Sequence, residues 1–379
     1  FKQKTAYEIR LSLVGSEMCI RDRTLIAQVA TLKALYPKMQ WHTYESVNRD
    51  NAYAGATAAY GQPLETVYDF SKAKRILTLD SDFMNELPGS VRHARDYSAG
   101  RRVDENKPSE MSRYYAVECT PTMSGSLADH RLPLKASDIP AFTSALASIL
   151  GIGGVVEIPA ESEKFIRAVV EDFNQHLNAS VVVPGEHQPP IVHALCHAIN
   201  KKIGAVAGGV ITHHSPFTGV GNGSASQVAS LKNLVGALDA GTVSVLLILG
   251  GNPVYTAPAD LKFSEQLGKA ALSVHLSLYE DETSAKCKWH LPEAHYLEAW
   301  GDVLDYSGRG SIVQPLIKPL YDNCRSALQV LALFLELPAP TTDDTDYDAG
   351  YELVKANWQK VIKPADFQAT WDKALNDGF

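Results

Sequence analysis

The chain has 379 residues, of which 45% are hydrophobic, 21% charged and 8% aromatic, a composition typical of a globular protein with more than one domain. Its formal net charge is -8, and its 35 Lys and Arg residues form no basic stripe, so we expect no nucleic-acid partner. No apolar run approaches the ~20 residues of a membrane span. The five cysteines contain no CxxC pair, so the sequence predicts no iron–sulfur ligand set, zinc ribbon or disulfide framework.

Residues 1–23 differ from the rest of the chain. Their apolar residues follow no clean period, and they lack the apolar middle and small-residue cleavage site of a secretory signal. The segment resembles translated sequencing-adapter readthrough. We therefore expect an unstructured artefact outside the fold, with the true start of the gene upstream.

From residue 24 onward, strand and helix patterns alternate. Helices are predicted over 24–36, 48–60 and 138–150, and strands over 41–44, 74–79 and 114–118. This alternation is typical of a parallel, doubly wound sheet. Residues 24–152 therefore predict a first α/β unit.

The same alternation continues over residues 153–337 and predicts a second α/β unit. Its helices are expected over 163–177, 190–201, 226–238 and 327–336, and its strands over 180–183, 243–249 and 271–278. Residues 338–350 are acidic and turn-rich, as in a linker, and 351–379 predict a truncated helical tail. The fold class expected is α/β, with two doubly wound parallel-sheet (Rossmann-like) units.

Candidate metal ligands are present but incompletely spaced. His193 and His197 lie four apart on a predicted helix beside Cys196, without an H-E-x-x-H frame or a third ligand, so a structural histidine pair is favoured. The same holds for the loose group of Cys287, His290 and His295. The chain has no G-x-S-x-G elbow and no G-x-G-x-x-G after a strand. We predict no metal site and no catalytic residue.

The predicted strand 243–249 runs directly into the turn Gly250, Gly251, Asn252 and Pro253. Ligands of open α/β sheets bind beyond the carboxyl ends of the strands, so this turn is a candidate site. Turn chemistry alone, with Gly for positive φ and Pro for a fixed φ, is the other explanation.

Further residues follow this turn in a recognisable order: Asp281, Thr283, Leu291 with Pro292, Glu298 and Gly301. The order resembles the second nucleotide-binding unit of the molybdopterin oxidoreductase family, which has G-x-N-P, an Asp with a following Thr, L-P and E-x-x-G. The resemblance covers nearly all of the chain from residue 24. It implies a cofactor cradle of Gly250, Gly251, Asn252, Pro253, Asp281 and Thr283.

Residues 118–134, 250–263 and 289–302 are similar to a narrower group, the molybdopterin-oxidoreductase-like half of the iron–sulfur subunit of alternative complex III. This resemblance implies a membrane-associated respiratory complex that oxidises quinol, at the periplasmic face of the inner membrane. Its implied partners are an iron–sulfur domain and cytochrome c-type subunits. The iron–sulfur clusters would lie in a downstream half.

The chain departs from the family where the first cradle is expected. Asp80, Ser81 and Asp82 replace the first G-x-N-P, and each carboxylate would repel a pyrophosphate by about 1 kcal/mol if solvated. Around residues 44–48 no Cys is available as a metal ligand, and only Ser46 could substitute.

A cofactor-free scaffold with a vestigial cradle is therefore the leading hypothesis. The alternatives are a catalytic subunit that carries a molybdenum bis-guanine-dinucleotide cofactor, and a nucleotide-binding module without redox chemistry.

Overall fold

The computed structural model describes residues 11–15, 22–103, 111–216, 226–335, 348–362 and 366–378. Most of the predicted linker 338–350 lies outside these ranges. The strands are β1 (Leu11–Gly15), β2 (Gln40–Thr43), β3 (Glu65–Tyr68), β4 (Arg75–Leu79), β5 (Arg113–Glu118), β6 (His130–Pro133), β7 (Ser180–Pro184), β8 (Ile211–His214), β9 (Val245–Leu249), β10 (Leu272–Ser277), β11 (Trp289–Pro292), β12 (Gly301–Leu304) and β13 (Gly310–Val313).

The α-helices occupy most of the intervals between these strands. They are α1 (Arg23–Leu35), α2 (Asp50–Tyr60), α3 (Ser90–Gly100), α4 (Ile139–Ile149), α5 (Ala160–Gln175), α6 (Pro190–Lys202), α7 (Gln227–Asp239), α8 (Pro253–Thr256), α9 (Phe263–Leu267), α10 (Ala327–Ala332), α11 (Ala349–Ile362) and α12 (Phe367–Asp377). No helix within the described ranges is long and apolar enough to cross a membrane.

The chain forms two compact units that do not follow the expected boundaries at 24–152 and 153–337. The inserted unit is Arg49–Pro216, and the discontinuous unit combines Phe1–Asn48 with Phe217–Phe379. The difference arises because β1, near the amino terminus, pairs with β9, which follows residue 240. The alternation of strands and helices along the chain indicates which elements are neighbours in sequence, but it does not indicate which distant strands pair.

The inserted unit is built on a parallel sheet with the order β6-β5-β4-β7. All five residues of β4 are buried, as expected for an apolar strand in the middle of a parallel sheet. Its core includes Phe142 of α4, Phe173 of α5 and Ile199 of α6. β3 and β8 form a separate antiparallel pair.

The discontinuous unit has a five-stranded parallel sheet with the order β11-β10-β9-β1-β2. Alternate residues of β9 enter different cores. Leu247 and Leu249 pack in a cluster with residues of α1, α10, α11 and α12, whereas Leu246 and Ile248 pack in a cluster with residues of α7 and α9. Helices therefore cover both faces of this sheet, which makes the carboxyl ends of the strands its open edge.

The expectation that residues 1–23 lie outside the fold is corrected in part. Leu11–Gly15 forms β1, which pairs in parallel with β2 on one side and β9 on the other. β2 and β9 each have backbone N–H and C=O groups along one edge that must be paired. β1 lies between these strands and supplies the partners for both. The predicted α/β class with parallel sheets is confirmed.

Candidate functional site

The turn after β9 adopts the backbone that its two glycines permit. Gly250 and Gly251 have φ of +63° and +67°, in the left-handed region that disfavours side chains. The Gly250 N–H donates to the carbonyl of Leu276 at 2.8 Å, which ties the turn to the neighbouring strand β10. Pro253 is buried and starts the short helix α8.

The predicted site residues Asn252 and Thr283 meet, because β9 and β10 are adjacent and end at the same edge. The Thr283 hydroxyl donates to Asn252 Oδ1 at 2.7 Å and accepts from the Val254 N–H at 3.0 Å. Asn252 Nδ2 donates to Glu282 Oε2 at 2.5 Å. The polar atoms of this pair are thus engaged in joining the two loops.

Asp281 takes another role. Its Oδ1 accepts from the Ser284 N–H at 2.9 Å, and it lies 3.5 Å from Nδ1 of the buried His275. His275 Nε2 bonds to the carbonyl of Gly251 at 3.0 Å, so this ring helps to hold the glycine turn in place. Burial lowers the pKa of His275, against the opposing charge of Asp281.

His275 and Ser284 were missed by the sequence analysis. Their signal is a histidine among the alternating leucine and valine residues of β10, and a buried polar group of this kind needs a hydrogen-bond partner. The trio of Ser284, His275 and Asp281 does not form a catalytic relay, because Ser284 Oγ, at 2.8 Å, and Asp281, at 3.5 Å, both face Nδ1 of the ring. A relay requires the nucleophile and the carboxylate on opposite ring nitrogens.

In the inserted unit, Asp80, Ser81 and Asp82 follow β4 and are all buried. Asp80 has φ of +52°, which is uncommon for a residue with a side chain. Its Oδ1 accepts from the Cys119 N–H at 3.1 Å, and its Oδ2 lies 2.9 Å from His187 Nε2.

Two further donors complete the environment of Asp80. Gln188 Nε2 donates to Oδ2 at 3.3 Å, and the Cys119 thiol donates to it at 3.5 Å. Burial alone would raise the pKa of Asp80, but the bonds from His187 and the Cys119 N–H outweigh it and lower the pKa. The carboxylate is therefore an internal anion with its own donors.

Asp82 also accepts hydrogen bonds, from the backbone and the side chain of Ser124. Its Oδ1 accepts from the Ser124 N–H at 2.9 Å and from the Ser124 hydroxyl. The hydroxyl of Ser81 has no hydrogen-bond partner among the described residues. The two carboxylates that were expected to repel a pyrophosphate at this edge are both bonded to the loop after β5.

The histidine pair of α6 is buried beside a cavity of about 30 Å³, room for about one water. Burial lowers the pKa of His193 and of His197 to about 4, so both rings are neutral at pH 7. The His197 ring lies 5.4 Å from the ring of His213 on β8, measured between centroids.

The other candidate ligands are dispersed. His290 bonds through Nδ1 to the Ser284 hydroxyl at 3.0 Å, and Cys287 is a free cysteine. Ser46, the possible metal ligand, is exposed after β2. Within the described ranges, no three His, Cys, Asp or Glu side chains are grouped so that they could hold a metal ion.

No family model matches the chain, and no curated protein matches it. Among solved structures, 77 chains match. Acetylene hydratase from Pelobacter acetylenicus has a TM-score of 0.55 at 11% identity, and the match covers 85% of this chain and 55% of that one. The formyltransferase/hydrolase complex (FhcABCD) from Methylorubrum extorquens has a TM-score of 0.52 at 11% identity, with 86% and 90% covered.

Similarity at this level of identity shows a shared fold and nothing about activity. The chain therefore shares an α/β fold with parts of these two structures. The chain spans about half the length of the acetylene hydratase chain.

Proposed function

We propose that the chain is part of a molybdopterin-oxidoreductase-like subunit in which two doubly wound, Rossmann-like units act as a cofactor-free scaffold for electron transfer. The observation that carries this proposal is the buried Asp80 carboxylate. It lies after β4 at the carboxyl edge of the inserted unit's sheet and accepts hydrogen bonds from donors that a phosphate would need.

The resemblance to the iron–sulfur subunit of alternative complex III supports a narrower proposal. The scaffold would belong to a quinol-oxidising respiratory complex at the periplasmic face of the inner membrane. Its partners would be an iron–sulfur domain and cytochrome c-type subunits, and the redox centres would lie in segments other than this chain. Co-purification of the chain with haem-containing subunits from detergent-solubilised membranes would support this assignment, and recovery of the chain alone would contradict it.

The cofactor-free role is tested by the content of the purified full-length protein. Molybdenum and tungsten are measured by mass spectrometry of the metals, and guanine nucleotide is measured after acid release. We expect neither in stoichiometric amount. A known molybdenum enzyme produced in the same host is the control for cofactor supply, and one metal with bound guanine nucleotide per chain would refute the proposal.

The alternative is a catalytic subunit with a molybdenum bis-guanine-dinucleotide cofactor. The intact Gly250 and Gly251 turn of the discontinuous unit favours it, since such a turn allows close approach of a pyrophosphate. If the alternative holds, Gly250, Gly251, Asn252 and Thr283 would hold nucleotide phosphates and the cofactor would supply the redox chemistry. Failure to bind the isolated cofactor on reconstitution would exclude it.

A further inference from the structure

We propose that the Asp80 carboxylate occupies a built anion site in the inserted unit, and that this site binds a phosphate-class oxyanion once the carboxylate is removed. The inference deepens the proposed function and rests on it in one respect, since it names the means by which a phosphate-bearing ligand is excluded. The site is assembled from the loops that follow β4, β5 and β7, three adjacent parallel strands.

The donors around Asp80 have the chemistry of an oxyanion site. They are a backbone N–H, a side-chain amide, an imidazole and a thiol, from Cys119, Gln188 and His187. They contact both carboxylate oxygens, so an oxyanion at the same position would receive the same hydrogen bonds. The helix α6 begins directly after this loop, and its amino-terminal dipole adds positive potential.

The neighbouring acidic side chains of Asp82 and Glu186 are bonded to other residues. Asp82 accepts from Ser124, and Glu186 forms an ion pair with Arg49. Removal of the Asp80 carboxylate would therefore leave the donors without a competing anion bonded to them.

The backbone indicates that glycine can replace Asp80 without strain. The φ of +52° lies in the region that glycine adopts freely, so Asp80→Gly relieves the backbone while it removes the carboxylate. The loop after β7 is held independently of the side chain, because the Gly185 N–H donates to the carbonyl of Leu79 at 2.9 Å. The donors should thus keep their positions in the variant.

The experiment is calorimetric titration of the full chain with inorganic phosphate and pyrophosphate at constant ionic strength and pH 7.5. We expect Asp80→Gly to bind with a dissociation constant on the order of 1 mM or below, at least ten times tighter than wild type. The matched control is Asp260→Gly, which removes one negative charge at an exposed position and should behave as wild type. Adding His187→Ala to Asp80→Gly should weaken binding at least fivefold.

A folded Asp80→Gly variant that binds no better than Asp260→Gly would overturn the inference. If Asp80→Gly is unfolded in chloride, 100 mM phosphate must restore its wild-type circular dichroism, because a ligand of the native state stabilises that state. Absence of rescue would also overturn it.

GDP serves as a second probe. Equal binding of GDP and pyrophosphate would support recognition of phosphate groups alone, and tighter binding of GDP would support the site with an added base contact. A failed titration leaves the cofactor-free role standing, whereas cofactor in the wild-type protein refutes that role whatever the variant binds.

Discussion

Single polar side chains connect the loops at the carboxyl edges of both sheets. In the discontinuous unit, the hydroxyl of Thr283, after β10, bonds to Asn252 and Val254, after β9. His275 bonds to the carbonyl of Gly251. In the inserted unit, the Asp80 carboxylate links the loops that carry Cys119 and His187. Each edge is thus closed by internal hydrogen bonds, which are worth most where the groups are buried.

Thr283→Val tests the link in the discontinuous unit. Valine keeps the shape but leaves the Val254 N–H and Asn252 Oδ1 without the hydroxyl, so we expect a loss of about 1–3 kcal/mol in the free energy of unfolding. Urea denaturation followed by circular dichroism measures it. The control is Thr242→Val, an exposed threonine in the same unit that should change stability by less than about 0.5 kcal/mol. Equal effects of the two substitutions would contradict the assigned role.

Helix α6 carries a buried histidine pair and follows the loop that bonds to Asp80. His193 and His197 pack against the core of the inserted unit, and Cys196 between them is buried too. Burial therefore favours the neutral form of both rings, which links the packing of the helix to pH.

Acidification should destabilise the inserted unit through α6. The folded-state pKa of both rings is about 4, below the unfolded value of about 6.5. The unfolded chain therefore binds protons first as pH falls, and the free energy of unfolding declines between pH 6.5 and 4 by up to about 1.4 kcal/mol per pH unit for each ring. Urea denaturation at several pH values should show this slope, reduced in the double variant His193→Gln and His197→Gln. An unchanged slope in a folded double variant would count against it.

The residue after β7 lies close to the residue after β4. A Cβ on Gly185 would lie 2.0 Å from the carbonyl oxygen of Asp80, so Gly185→Ala must displace backbone. We expect a loss of more than about 2 kcal/mol in the unfolding free energy, measured by urea denaturation. Gly154→Ala is the control, since its Cβ would have no neighbour within 4 Å. A Gly185→Ala variant as stable as the control would show that this approach is not tight.

Local patterns in the sequence were sufficient to predict the buried strands and most helices. β4 was expected over 74–79 and found at Arg75–Leu79, because five successive buried residues leave a clear signal. The short strands β3, β12 and β13 were not predicted, since four-residue strands carry little periodicity. The partners of Asp80 lie 39 and 107 residues away, so only the tertiary structure reveals them.

At the scale of the molecule, each unit has its own hydrophobic core. Every member of the largest core cluster lies within residues 49–216, and the other two clusters draw only on the discontinuous unit. A continuous segment with a complete core satisfies the physical requirement for independent folding.

Residues 49–216 expressed alone should therefore fold. We expect a cooperative urea transition and dispersed amide resonances in NMR spectra. The comparison is residues 217–379 alone, which lack α1, β1 and β2 and should give no cooperative transition. An unfolded 49–216 segment would show that its core needs the other unit.

The pairing of β1 with β9 also sets an order of events during synthesis. The ribosome completes residues 49–216 before it makes β9, so the inserted unit can fold on the emerging chain while β1, β2 and α1 still lack their partners. The sheet of the discontinuous unit must then close over a sequence separation of more than 200 residues, which makes it the slower step. Nascent chains stalled before residue 243 should therefore expose an incomplete sheet edge to chaperones, although the inserted unit is already native.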